Sequence, residues 1–180
     1  SLEENYTLGP GINFGKNLTE AELTKLYTPD EVKGMVVERF TESKNAVNKE
    51  FGNNLPPHVQ KAIVGMHFNV GAGSFNGFED MRAAIKNGDH TKAALEIMTT
   101  QDDKTGIRRP TKYTGDVGDR ANYYAGLLLG MKPNIENPPS TKAVLATIKR
   151  KDEGKSGTVV DAGTIDDDAK RKAALEAAKK

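Results

Sequence analysis

The stretch from Gly65 to Phe78, Gly-Met-His-Phe-Asn-Val-Gly-Ala-Gly-Ser-Phe-Asn-Gly-Phe, constrains the fold more than any other part of the chain. Upstream of it, Val59, Ala62, Ile63, Met66 and Val70 recur at helical spacing and give one helix an apolar face. Gly71 and Gly73 then permit positive φ, and Ser74 is placed to cap whatever follows. Phe78, Met81 and Ile85 begin a second apolar stripe downstream. Two buried helices are therefore expected to meet at a corner carrying Asn69 and free backbone amides. Such a corner serves either packing alone or the wall of a polar cleft.

A chain of 180 residues holds one domain with a substantial core and an appendage. Its net charge of +1 is made of mixed signs, so no whole-molecule field points to nucleic acid or an anionic membrane. With no cysteine, disulfides, Cys-ligated zinc and a thiol nucleophile are excluded. No apolar run approaches the roughly 20 residues that cross a bilayer, and no signal-peptide pattern opens the chain. Because the first residue is Ser1 and structured patterns reach both ends, the chain reads as a fragment or processed product of a longer polypeptide.

Tyr6-Thr7-Leu8 followed by Gly9, Pro10, Gly11 and Gly15 predicts a strand and turn of a small hairpin sheet. Thr19 and Glu22 have capping-box spacing and predict a short helix through Leu23, Leu26 and Tyr27. Thr28, Pro29 and Glu31 then start a long helix with Val32, Val36, Phe40, Val47 and Phe51 on one side, ending at Gly52. Pro57 opens the helix that runs into the corner. The helix after the corner stops at Asn87-Gly88, and Asp89 caps the next, which turns Ala93, Ala94, Ile97 and Met98 inward. Residues 101–119 lack periodicity and are expected to form an exposed loop. A last core helix from Arg120 to Leu129 buries Ala121, Tyr124, Ala125 and Leu128 before Gly130. Beyond Lys132, three prolines mark a linker, with short helices expected around Ala143–Ile148 and from Ile165 onward.

These pieces, in this order, resemble the phage-type (T4-like) lysozyme family of muramidases, a group of glycoside hydrolases. Tyr6-Thr7-Leu8-Gly9-Pro10-Gly11 is similar to the family's aromatic-Thr-Ile-Gly-x-Gly strand, and Ile12-Asn13-Phe14 to the variant with Asn after the glycines. Ala62 to Phe78 resembles the family's Met-x-Phe-Asn-hydrophobic-Gly segment. Met81 to Ile85, Asn87-Gly88-Asp89 and Ala93-Ala94 continue in register, and Gly118-Asp119-Arg120-Ala121 resembles the start of the closing helix. The resemblance spans residues 3–131. It implies an α+β, mostly helical, two-lobed fold: a small N-terminal β-sheet and a helical C-terminal lobe joined by the long helix. Residues 1–132 would be the lysozyme-like domain, its first helix lying upstream of Ser1, and 133–180 a Pro-containing linker with a charged, partly helical tail.

The family cleaves the β-1,4 bond between N-acetylmuramic acid and N-acetylglucosamine with a glutamate acid, an aspartate and a threonine. Glycoside hydrolysis needs a proton donor at the leaving oxygen and a second group for the oxocarbenium-like centre or the water. Thr7 matches the threonine, which is otherwise an ordinary strand residue. No aspartate stands at the family's position near Ser1, and the glutamate position lies further upstream. Glu3 and Glu4 are the nearby acids; each is either a substitute general acid or a solvated charge. Arg120 matches an arginine that pairs with the family's glutamate, which calls for a carboxylate partner from the upstream segment; alone it is a solvent-facing helix-start residue. By resemblance Asn69 offers its amide to an acetamido group, Gly11, Asn13, Phe14, Phe68 and Gly71 line the cleft, and His67 supports it. For the two phenylalanines and His67 the alternative is packing.

His58 and His90 are far in sequence from His67 and give no metal spacing, and the glycines at 9, 11 and 15 lack the Lys-Ser/Thr of a phosphate loop. No cofactor is expected. The implied partners are bacterial peptidoglycan and either an upstream segment or other virion proteins, with no nucleic acid and no membrane span. The implied location is a phage virion, acting in the bacterial cell wall or periplasm. Two other readings stay open: a non-catalytic lysozyme-like protein that binds glycan or fills a structural place in a virion, and a helical scaffold.

Overall fold

The computed structural model describes residues 25–154 and the backbone of 6–8 and 12–15. Helices dominate these residues, and the strands are short. Strand β1 (Tyr6–Leu8) pairs antiparallel with β2 (Ile12–Gly15), setting Thr7 opposite Asn13 and Leu8 opposite Ile12, with a register slip between Tyr6 and Thr7. The expected hairpin is present. Of the short helix expected from Thr19, residues 19–24 lie outside the described residues; Leu26 and Tyr27 are not helical.

Helix α1 (Pro29–Phe51) opens on the expected capping box. The Glu31 amide donates to Thr28 Oγ1 at 3.3 Å, and the Thr28 amide donates to Glu31 Oε2 at 2.8 Å, so two otherwise unpaired donors are satisfied. Its far end stops at Gly52, where φ is +82°. Burial along α1 is uneven. Val47 is buried with Ser43, whereas Val37 and Phe40, nearer the start, are 58% and 47% exposed. The second half of the helix therefore carries its packing.

Helix α2 (Pro57–Asn76) buries Val59, Ala62, Ile63 and Met66 and is broken at Gly71, where φ +75° and ψ 162° interrupt the helical path. That conformation is open essentially to glycine alone. One such residue is enough to turn the chain. Gly73, expected to share the task, keeps a negative φ, and Ser74 lies inside the second helical segment rather than capping the next helix. Helix α3 (Glu79–Lys86) buries Met81, Ala84 and Ile85 and ends at Gly88, with φ +73°. Asp89 then accepts from the Lys92 amide at 2.9 Å and caps α4 (His90–Met98), whose Ala93, Ala94, Ile97 and Met98 are all buried, as the pattern required.

Residues 101–119 are not an irregular loop. Strands β3 (Thr99–Gln101) and β4 (Arg108–Pro110) form a second antiparallel hairpin, followed by α5 (Lys112–Val117). The Asp102 carboxylate accepts from the Lys104 and Thr105 amides, and Gly106 takes φ +68°, which closes the turn. Arg108 pins the hairpin by donating to Thr99 Oγ1 at 2.8 Å and to Glu96 Oε2 at 2.6 Å. Three-residue strands are too short for alternation to register in a sequence pattern.

Helix α6 (Asp119–Leu128) is buried on every side from Ala121 to Leu128, and Gly130 with φ +75° follows it. It packs against α2, α4 and α5 and lies at the centre of the described core. Past Lys132 the chain stays on that core. Pro133 and Pro139 approach Gly126, and Ser140 caps α7 (Thr141–Asp152), which buries Val144 and Ile148 against α4 and α6. The helix expected from Ile165 lies outside the described residues.

Candidate functional site

Four of the expected residues share one corner: His67, Phe68, Asn69 and Gly71, at the end of the first segment of α2. The helical run sets them on successive sides of one turn, and Gly71 ends that turn with its left-handed backbone. Phe68 meets Phe40 of α1 with ring centroids 6.0 Å apart. His67 packs on Phe75 at 5.0 Å, and its Nδ1 lies 3.0 Å from the hydroxyl oxygen of buried Ser43. Burial holds the His67 pKa below its ordinary 6.5, with Glu50 pulling in the opposite direction. A neutral imidazole thus ties α1 to α2 just before the corner. Asn69 is half-buried, and its side-chain amide has no hydrogen-bond partner among the described residues.

Thr7 and Asn13 stand opposite each other across the first hairpin, with Phe14 beside them in β2. Glu3, Glu4 and Gly11 lie outside the described residues. Arg120, second residue of α6, is exposed, and no carboxylate among the described residues pairs with it. One turn further on, the Tyr124 ring lies against Gly65 of α2. Arg120 faces Tyr113 and Tyr124, easing an ionisation that burial makes harder in both phenols. The Tyr113 hydroxyl is buried without a partner among the described residues.

Glu50, Glu31 and Asp102 do not suit the general-acid role. A general acid at neutral pH needs a raised pKa. Burial pushes Glu50 up, but hydrogen bonds from Arg82 and Lys86 outweigh it and hold the carboxyl below its ordinary 4.5. Glu31 and Asp102 are likewise lowered, chiefly by backbone amides. Among the described residues no group of three or more His, Asp or Glu could hold a metal ion, and no helix is long and apolar enough to cross a membrane.

Ser43 and Glu50 were not singled out from the sequence, though both shape the corner. For Ser43 a signal existed: it stands four residues before Val47 on the inward stripe, where a polar residue needs a partner. Glu50 gave none, because its partners Arg82 and Lys86 lie more than thirty residues away.

Compared with known families, residues 2–109 match the phage lysozyme family model. Curated proteins and solved structures gave no match. The matched region runs from the first hairpin through the corner to β4 and stops before Arg120.

Proposed function

The chain belongs to the phage lysozyme family, and on that premise we propose that it is a peptidoglycan-degrading muramidase domain of a phage tail or virion protein. It hydrolyses the β-1,4 bond between N-acetylmuramic acid and N-acetylglucosamine and uses no cofactor. The observation that carries this reading is the corner at Gly71, which leaves the half-buried Asn69 amide without a partner among the described residues, beside Phe68. An amide held this way can both donate to and accept from an acetamido group. Phe68 and Gly71 bound the glycan at the corner, and by the family resemblance Gly11, Asn13 and Phe14 bind it from the first hairpin.

In this mechanism Glu4 or Glu3 protonates the leaving oxygen, Thr7 holds the attacking water, and Arg120 pairs with a carboxylate at the site. His67 is a positioning residue that keeps α1 against the corner through Ser43. The test is digestion of purified sacculi by the full chain, read as new reducing ends. Activity that falls at least ~10-fold in N69A, with an unchanged unfolding temperature, supports the assignment. Intact sacculi with well-folded protein sink the enzymatic reading. A non-catalytic glycan-binding role is the second reading, favoured by Arg120 having no carboxylate partner among the described residues, and it predicts sacculus binding without new reducing ends.

A further inference from the structure

Away from the corner, the starts of α2 and α4, the end of α6 and the last turn of α7 surround a cavity of about 270 Å³. We propose that this cavity, between His58, His90 and Lys151, binds a phosphate-type oxyanion. The imidazoles of His58 and His90 stand nearly perpendicular, at 89°, with centroids 6.3 Å apart. Lys151 closes the cavity from α7, and Thr91 adds a hydroxyl with no partner among the described residues. The charged and titratable groups facing the histidines are Asp89 at the cap of α4 and Lys151; α6 contributes only Leu128, Leu129 and Gly130. The Asp89 carboxylate already accepts from the Lys92 amide.

Donors on three separate helices approach one space from different directions, which matches the several oxygens of a tetrahedral anion better than a planar carboxylate. The cavity also borders the first turn of α4, where the helix dipole favours negative charge. Without an anion, burial, His58 and Lys151 together hold His90 below its ordinary pKa, while Asp89 opposes them. A bound anion reverses that balance. Binding therefore takes up protons and tightens as pH falls.

The experiment follows the histidine ring resonances of the full chain during titration with inorganic phosphate, at constant ionic strength set by chloride. The His58 and His90 resonances are expected to shift together and saturate, with a higher His90 pKa in phosphate, while those of His67 stay still. Sulfate, whose charge is constant over this range, should bind at least ~5-fold tighter at about pH 6 than at about pH 7.5. K151A, a change at an exposed side chain that leaves the fold intact, should weaken binding at least ~5-fold. A parallel titration with glycerol 3-phosphate separates the sources: matching shifts assign the site to an esterified phosphate, and shifts with inorganic phosphate alone assign it to the free ion. The proposal is overturned if the shifts do not saturate, if all three histidines move alike, or if K151A and H90Q bind as the parent does. Saturable shifts with zinc and none with phosphate also overturn it.

Discussion

At Gly65, a β-carbon would stand 2.8 Å from Cε1 of Tyr124, a buried ring with little room to yield. G65A should therefore cost ~1–3 kcal/mol through overpacking, measured as a lower urea midpoint with an unchanged slope. Without the Tyr124 contact the same substitution would be expected to stabilise a helix interior, so the sign of the change decides the matter. His67 makes a second prediction. Its folded pKa is below the ordinary 6.5, so the unfolded chain binds more protons as pH falls toward and below that value. The neutral ring's contribution is complete above about pH 6.5 and is lost as pH drops through the folded value. His90 is shifted in the same direction. In phosphate-free buffer, the fall in unfolding free energy from neutral pH to about pH 5 should be shallower in H67Q than in the parent. An equal slope would mean that His67 titrates alike in both states. Single residues governed by backbone conformation were legible beforehand: Gly71, Gly88 and Gly130 take positive φ, and Asp89 caps α4. Gly73 and Ser74 were misjudged because one left-handed residue had already made the turn.

Between elements, one tie is invisible in the sequence. The Glu50 carboxylate on α1 accepts from Arg82 Nε at 2.8 Å and lies 3.0 Å from Lys86 Nζ, both on α3. This clamp fixes α1 across the far side of the corner, whose near side is held by His67 and Ser43. Since the partners are 23% and 50% exposed, solvent screens part of the attraction, and E50Q should cost only about 1 kcal/mol near neutral pH. The lowered pKa gives the sign. Stabilisation from Glu50 is complete above its ordinary 4.5 and is lost as pH falls through the folded value, so parent and E50Q should converge in acid. A gap that persists in acid would assign the loss to packing instead of charge. Helices were readable because caps and apolar stripes are local; the second hairpin was not, because Arg108 secures it through Glu96 on a preceding helix.

For the molecule as a whole, α7 decides where the described core ends. The prolines after Lys132 suggest a linker, with a short helix expected around Ala143–Ile148. Yet Pro133 and Pro139 close on Gly126, Thr141 donates to the buried Asn122 at 3.1 Å, and Val144 and Ile148 are 0% and 3% exposed. Their value lies in the surface they complete: α6 is buried all round, and one of its sides is covered by α7. Local pattern cannot reveal this, because a short stripe has the same spacing whether or not a complementary face awaits it. I148A should therefore cost ~2–4 kcal/mol, as expected for a buried large aliphatic side chain cut to alanine. L145A on the same helix, 36% exposed, should cost under ~1 kcal/mol. Urea unfolding of both variants, followed by tyrosine fluorescence and by helical circular dichroism, measures the difference. Coincident curves from the two probes, shifted in I148A and nearly unmoved in L145A, would make α7 part of one cooperative core with the corner helices. Equal midpoints for the two variants, or a separate early helical transition, would make α7 an independently melting appendage.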